Sequence, residues 1–103
     1  MDDNPQPAER KITMPILRVP TLLKYYLNGQ TEVSVRGQTV AETLSDLTQQ
    51  YPAIQTHLFD SSGKIRRHIN LFLNAENIRD LNGLETPVSE NDVIKVLPSV
   101  TGG

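Results

Sequence analysis

The sequence predicts an α+β domain in which one helix lies across one face of a mixed sheet of four or five strands. Three observations predict it. "QTEVSVRG" (30–37) and "RRHINLFLN" (66–74) alternate in character, the period of a half-buried strand. Between them, "TVAETLSDLTQQYP" (39–52) repeats apolar residues at helical spacing behind a capping signal. Short apolar runs toward either end, "MPILRV" (14–19) and "VIKVLPSV" (93–100), supply two more strands.

The first run is bounded by Pro20 and reads as a strand. "PTLLKYYLNG" carries Leu22, Leu23, Tyr26 and Leu27 at spacings of three and four, which fits a turn of helix before Asn28 and Gly29 reverse the chain. In the second strand Thr31, Val33 and Val35 share one face; Glu32, Ser34 and Arg36 share the other, and Gly37 closes it. Thr39 followed by Glu42 is a capping box, each side chain satisfying a backbone N–H that the helix start leaves open. Val40, Leu44, Leu47 and Tyr51 form the apolar stripe, and Pro52 ends the helix by pushing Tyr51 out of the α region. "AIQTHLF" adds a further turn through Ile54 and Leu58, and "DSSGK" (60–64) is a polar loop. In 66–74, Ile69, Leu71 and Leu73 face one way; His68, Asn70 and Phe72 face the other. Residues 75–92 are turn-rich, with Ile78, Leu81, Leu84 and Val88 as isolated apolar anchors. In the last strand Ile94 and Val96 point inward, Lys95 and Leu97 outward. The order strand, strand, helix, strand, linker, strand buries both apolar faces in two layers, the arrangement of the β-grasp. Its first and last strands run parallel in the middle of the sheet, and Val40, Leu44, Leu47, Ile69, Leu71, Leu73, Ile94 and Val96 form the core.

One domain is expected over residues 14–99. Residues 1–13, "MDDNPQPAERKIT", are polar and proline-bearing and read as a disordered leader, with Met14 a candidate second start; residues 100–103 read as a flexible tail. The leader lacks the apolar core of a signal peptide, and no apolar stretch is long enough to cross a bilayer. A net charge of −2 predicts no sequence-independent attraction to nucleic acid or to an anionic membrane. With no cysteine, the chain has no disulfide framework, thiol nucleophile or thiolate metal site; this composition fits a cytosolic protein.

No glycine-rich phosphate loop opens a helix. His57 and His68 fall in different elements and belong to no metal-ligand cluster, so both read as structural or surface residues. Ser61, Ser62, Ser89 and Ser99 have no recognisable histidine and carboxylate partners, and Glu85, Glu90 and Asp92 read as a solvated turn. Lys64, Arg66 and Arg67 form a basic cluster, either a solvated loop or a docking edge for an acidic or nucleotide-loaded partner. Phe72 is apolar on the face turned away from the helix. With Leu97 on a neighbouring strand it makes an exposed patch of the kind that marks an interface, unless the linker 75–92 folds over it.

The chain ends "VLPSVTGG". Glycines there add no packing and lose the most freedom on ordering, so stability does not account for them. "LFLN", "VLPSVTGG" and the element order together resemble the ubiquitin-like β-grasp sulfur carriers, which include the small subunit of molybdopterin synthase and the thiamine sulfur carrier. The resemblance covers residues 14–103. The loop "DSSGKIRRHINLFLN" is similar to that of the carriers used in thiocarboxylate-dependent cysteine synthesis, whereas the molybdopterin subunits show two prolines before the tail and this chain has Pro98 followed by Ser99.

The resemblance implies a carrier or co-substrate, not an enzyme, that binds no cofactor. Its reactive group is the α-carboxylate of Gly103, with Gly102 beside it. An activating enzyme adenylates that carboxylate with ATP, a sulfur donor converts it to a thiocarboxylate, and a downstream synthase accepts the sulfur. Partners are expected on Phe72, Leu97, Lys95, Pro98, Val100 and Arg67, and the free protein is expected to be a monomer. The chemistry agrees: a free α-carboxylate, with pKa near ~3.5, is an anion and a poor electrophile until activated. Side-chain-free glycines pass through a channel that would stop larger residues. Two other readings share the tail: a ubiquitin-like modifier joined to lysines, and a plain interaction module.

Overall fold

The computed structural model describes residues 13–98. It contains five strands, β1 (Ile16–Arg18), β2 (Glu32–Ser34), β3 (Ile69–Leu73), β4 (Glu76–Asn77) and β5 (Val93–Pro98), and two α-helices, α1 (Val40–Gln50) and the single turn α2 (Gln55–Leu58). The sheet order is β2-β1-β5-β3-β4. β1 and β5 are parallel; the β1–β2, β3–β5 and β3–β4 pairs are antiparallel. The last strand in the sequence is thus the middle strand of the sheet, beside β1.

Register carries the alternation of the sequence into the packing. Leu17 lies opposite Val33 and Ile94, and Leu71 opposite Val96, so these side chains share the face that α1 covers. Val40, Leu44 and Leu47 of α1 are buried against them, and Leu58 of α2 closes the same core. Leu73, expected in the core, is partly buried at its margin. Fully burying one such aliphatic side chain contributes about 1.5–3 kcal/mol, so this shared face dominates the stability.

The helix starts where the capping signal places it. The Glu42 N–H donates to Thr39 Oγ1 at 3.2 Å. The Glu42 carboxylate reaches one residue further back than a standard capping box, accepting from the Gln38 N–H at 2.8 Å. Thr43, inside the buried stripe, satisfies its hydroxyl by donating to Val40 O at 2.7 Å. Gly37 does more than close a strand. A Cβ there would lie 2.7 Å from the Thr43 nitrogen and 2.9 Å from the Glu42 carbonyl carbon, so the chain passes the helix start at a distance only glycine allows.

The structure refines two expectations and corrects a third. The segment after Pro20 is a seven-residue 3-10 helix, Thr21–Leu27, and it leaves Leu22 in solvent while Leu27 enters the core. The turn-rich linker 75–92 begins with residues that pair as β4, and short 3-10 turns follow at Ile78–Asp80 and Gly83–Glu85. Its anchors Ile78 and Val88 join the core, but Leu81 does not.

Candidate functional site

The face of the sheet turned away from α1 is set by the same register. One rung crosses the whole sheet: Asn77, Phe72, Lys95, Arg18 and Glu32 lie side by side on β4, β3, β5, β1 and β2. Leu97 is two residues further along β5, opposite Asn70, which makes it the diagonal neighbour of Phe72. Diagonal pairs on one face are about 7–8 Å apart, within reach of an aromatic side chain. Phe72 is half-buried and lies outside the hydrophobic core, and Leu97 is 40% exposed. Of the linker's apolar anchors, Ile78 and Val88 are buried in the core and Leu84 packs against it. Lys95 is half-buried beside Phe72, and at the far end of the rung Arg18 donates from Nε to Glu32 at 2.8 Å. This face combines an apolar patch with a cation.

Toward the end of β5 the face runs into a groove of about 300 Å³ between Arg18, Val19, Pro20, Lys95 and Leu97. Pro98 is the last residue of β5, exposed and opposite Ile69. It lacks the N–H a continuing sheet would need. Val100, Gly102 and Gly103 lie outside the described residues, as do Ser99 and the leader to residue 12.

Asn74, the last residue of the LFLN stretch, holds β5 in place. Asn74 has φ 58° at the end of β3. Its side-chain amide donates to Asp92 at 3.0 Å and its Oδ1 accepts from the Val93 N–H at 3.0 Å. Asp92 also accepts from the Ser89 N–H at 2.7 Å, so it is a brace at the start of β5 rather than a solvated acid. An asparagine directly after an alternating strand, where left-handed backbone is tolerated, was the available signal.

The three residues of the basic cluster differ in their surroundings. Arg66 is a brace: its Nε donates to Thr56 O at 2.7 Å and its N–H to Leu58 O at 2.8 Å. Arg67 and Lys64 are exposed. In the preceding loop Asp60 accepts from the Ser62 hydroxyl and from the backbone N–H groups of Ser62 and Lys64. The Ser62 hydroxyl first, then those two N–H groups and the Arg66 charge, hold the Asp60 carboxyl below its ordinary range. His57 stacks on Tyr26 with ring centroids 4.0 Å apart, and His68 is exposed. No group of metal-ligating side chains occurs among the described residues, and no helix there is long and apolar enough to cross a membrane.

The profile of the ThiS family matches residues 18–103. The chain belongs to that family of β-grasp sulfur carriers. The sulfur carrier protein CysO of Mycobacterium tuberculosis (strain H37Rv) is 38% identical over 87 residues, 82% of this chain and 94% of the relative. A chain in the crystal structure of the BexX/CysO complex of Amycolatopsis orientalis superposes with a TM-score of 0.77 at 32% identity, covering 86% of this chain and 99% of that one. The small archaeal modifier protein 1 of Methanosarcina acetivorans superposes with a TM-score of 0.76 at 31% identity, covering 90% and 99%. ThiS-family carriers are substrates of other enzymes, not catalysts, and they interact with activating enzymes.

Proposed function

We propose that this ThiS-family carrier holds sulfur as a thiocarboxylate on Gly103 and delivers it for cysteine synthesis. The observation that carries the reading is the 38% identity, over 82% of the chain, to a carrier named CysO. The Gly-Gly terminus supports it, as does the placement of Pro98 at the open end of the central strand.

In the proposed cycle an activating enzyme docks on the face around Phe72, Leu97 and Lys95 and takes the tail into its active site. From Pro98, the six residues to Gly103 span at most about 20 Å. A carboxylate oxygen of Gly103 attacks the α-phosphorus of ATP and pyrophosphate leaves. Hydrosulfide from a sulfur donor then attacks the acyl adenylate, the C–O bond to AMP breaks, AMP leaves, and a thiocarboxylate remains. The downstream synthase receives this sulfur as a nucleophile. Docking of the folded face offsets the entropy of ordering the tail. ATP is consumed by the partner and is not a cofactor of this chain.

Intact-mass measurement after incubation with an activating enzyme, ATP and sulfide tests the reading. Exchange of one oxygen for one sulfur, with the sulfur then appearing in cysteine when a cysteine synthase and its acceptor are added, is the expected result. Mass gain without transfer to that synthase rejects the cysteine assignment and leaves the molybdopterin and thiamine routes. A second reading, the lysine modifier, draws on the likeness to small archaeal modifier protein 1. It predicts conjugates on partner lysines in the same incubation with cell extract.

A further inference from the structure

We propose that the open edge of β3 accepts an extended, acidic and apolar segment of a partner protein as an added strand. β4 covers β3 only at Phe72 and Leu73, so no strand among the described residues flanks Ile69–Leu71 on that side. The Asn74 N–H bonds to Val93 O at 2.8 Å, which fixes the alternation along the β3–β5 pair. Asn70 and Phe72 therefore turn their backbone groups toward β5, and Ile69 and Leu71 turn theirs to the opposite edge. The Ile69 N–H is taken by Arg66 O at 3.0 Å. The Leu71 N–H and the Ile69 C=O point past the end of β4, spaced as a donor and an acceptor for one added antiparallel strand.

A groove of about 270 Å³ lies along this edge. Ile65, Ile78 and Leu84 line it together with the two strand residues, which gives alternate side chains of an added strand an apolar seat. The charged residues lining it are Lys64 and Arg79, both cations and both exposed. Backbone groups select an extended segment, the seat selects apolar side chains at every second position, and the cations select acids between them.

The edge is separate from the outer face. Ile69 lies opposite Pro98, so the groove begins one strand away from the tail exit while Phe72 and Leu97 remain on the outer face. A partner bound here holds the carrier without displacing one that holds the Phe72 patch. The proposal stands whether or not the tail carries sulfur, and its test uses no sulfur chemistry.

Amide hydrogen exchange and ¹⁵N–¹H spectra of the full chain provide the test. The probe is a short, capped peptide of alternating valine and glutamate, set against the same peptide with lysine for glutamate. Expected are rapid exchange at the Leu71 N–H in the free protein, slowing by about ten-fold with the glutamate peptide, and shifts at Ile65, Ile78 and Leu84. The lysine peptide should leave all four unchanged, and the double variant Lys64→Glu with Arg79→Glu should reverse the preference. A Leu71 N–H already protected at low protein concentration, shifts confined to Phe72 and Leu97, or equal response to both peptides would overturn the proposal. Protection that grows with protein concentration alone would overturn it in favour of a second copy as the occupant.

Discussion

Leu71 and Phe72 are neighbours in sequence and opposites in consequence, because successive strand side chains point to opposite faces. Leu71 is 3% exposed in the core. Phe72 is half-buried outside it. Leu71→Ala should therefore cost about 2–5 kcal/mol in denaturant unfolding. Phe72→Ala should cost much less there and instead weaken binding of the activating enzyme by about 1 kcal/mol or more, a roughly five-fold loss in affinity. Equal destabilisation by the two substitutions would remove the Phe72 face from consideration as a docking surface. Gly37→Ala should destabilise by about 1–3 kcal/mol, read as a lower unfolding midpoint, since the added methyl meets backbone at the helix start rather than a side chain that can swing away. The parity of β3 was legible because a period of two needs only local sequence. The tightness at Gly37 was not, because it depends on how closely the turn folds back over α1.

Elements that carry their own signals are legible in the sequence, and those fixed by distant contacts are not. α1 has its cap, its stripe and its proline stop within one stretch of sequence. Thr39→Ala should cost about 1 kcal/mol of stability by removing the acceptor for the Glu42 N–H. β4 has two residues and no alternation to detect; the reversal at Asn74 and Ala75 creates it by laying Glu76 and Asn77 against β3. The 3-10 turns of the linker are likewise too short for a period and are fixed by burying single anchors such as Ile78. The loop after α2 has a pH signature. Because the Asp60 carboxyl is held below its ordinary value of 3.8, its contribution is complete above that pH and is lost as pH falls through the lower folded value. The Ser62 and Lys64 amide resonances should move together in that acid range. Asp60→Asn should remove the pH dependence while keeping an oxygen that can accept the same bonds.

At the scale of the whole molecule, membership of the ThiS family and the β-grasp sheet agree with the fold read from the strand and helix order. Phe72, Lys95 and Leu97 are proposed partner residues whose shared outer face follows from strand parity, and the open edge of β3 follows from where β4 ends. Docking and chemistry should separate. Gly103→Ala should bind the activating enzyme nearly as the parent does and form adenylate poorly, measured by pyrophosphate exchange, whereas Phe72→Ala should form adenylate once enzyme concentration is raised. Equal loss of binding in both would mean that tail and face act as one surface. The position of β5 has a further consequence, for synthesis. It follows every other element in the sequence yet joins β1 to β3 in the middle of the sheet. On the ribosome, β1 with β2 and β3 with β4 emerge as separate halves with no strand to bridge them. The sheet closes only after Val93–Pro98 has left the exit tunnel. A chain cut short before that point loses its central strand and the route to its terminal glycines together, and it leaves apolar surface open to proteases.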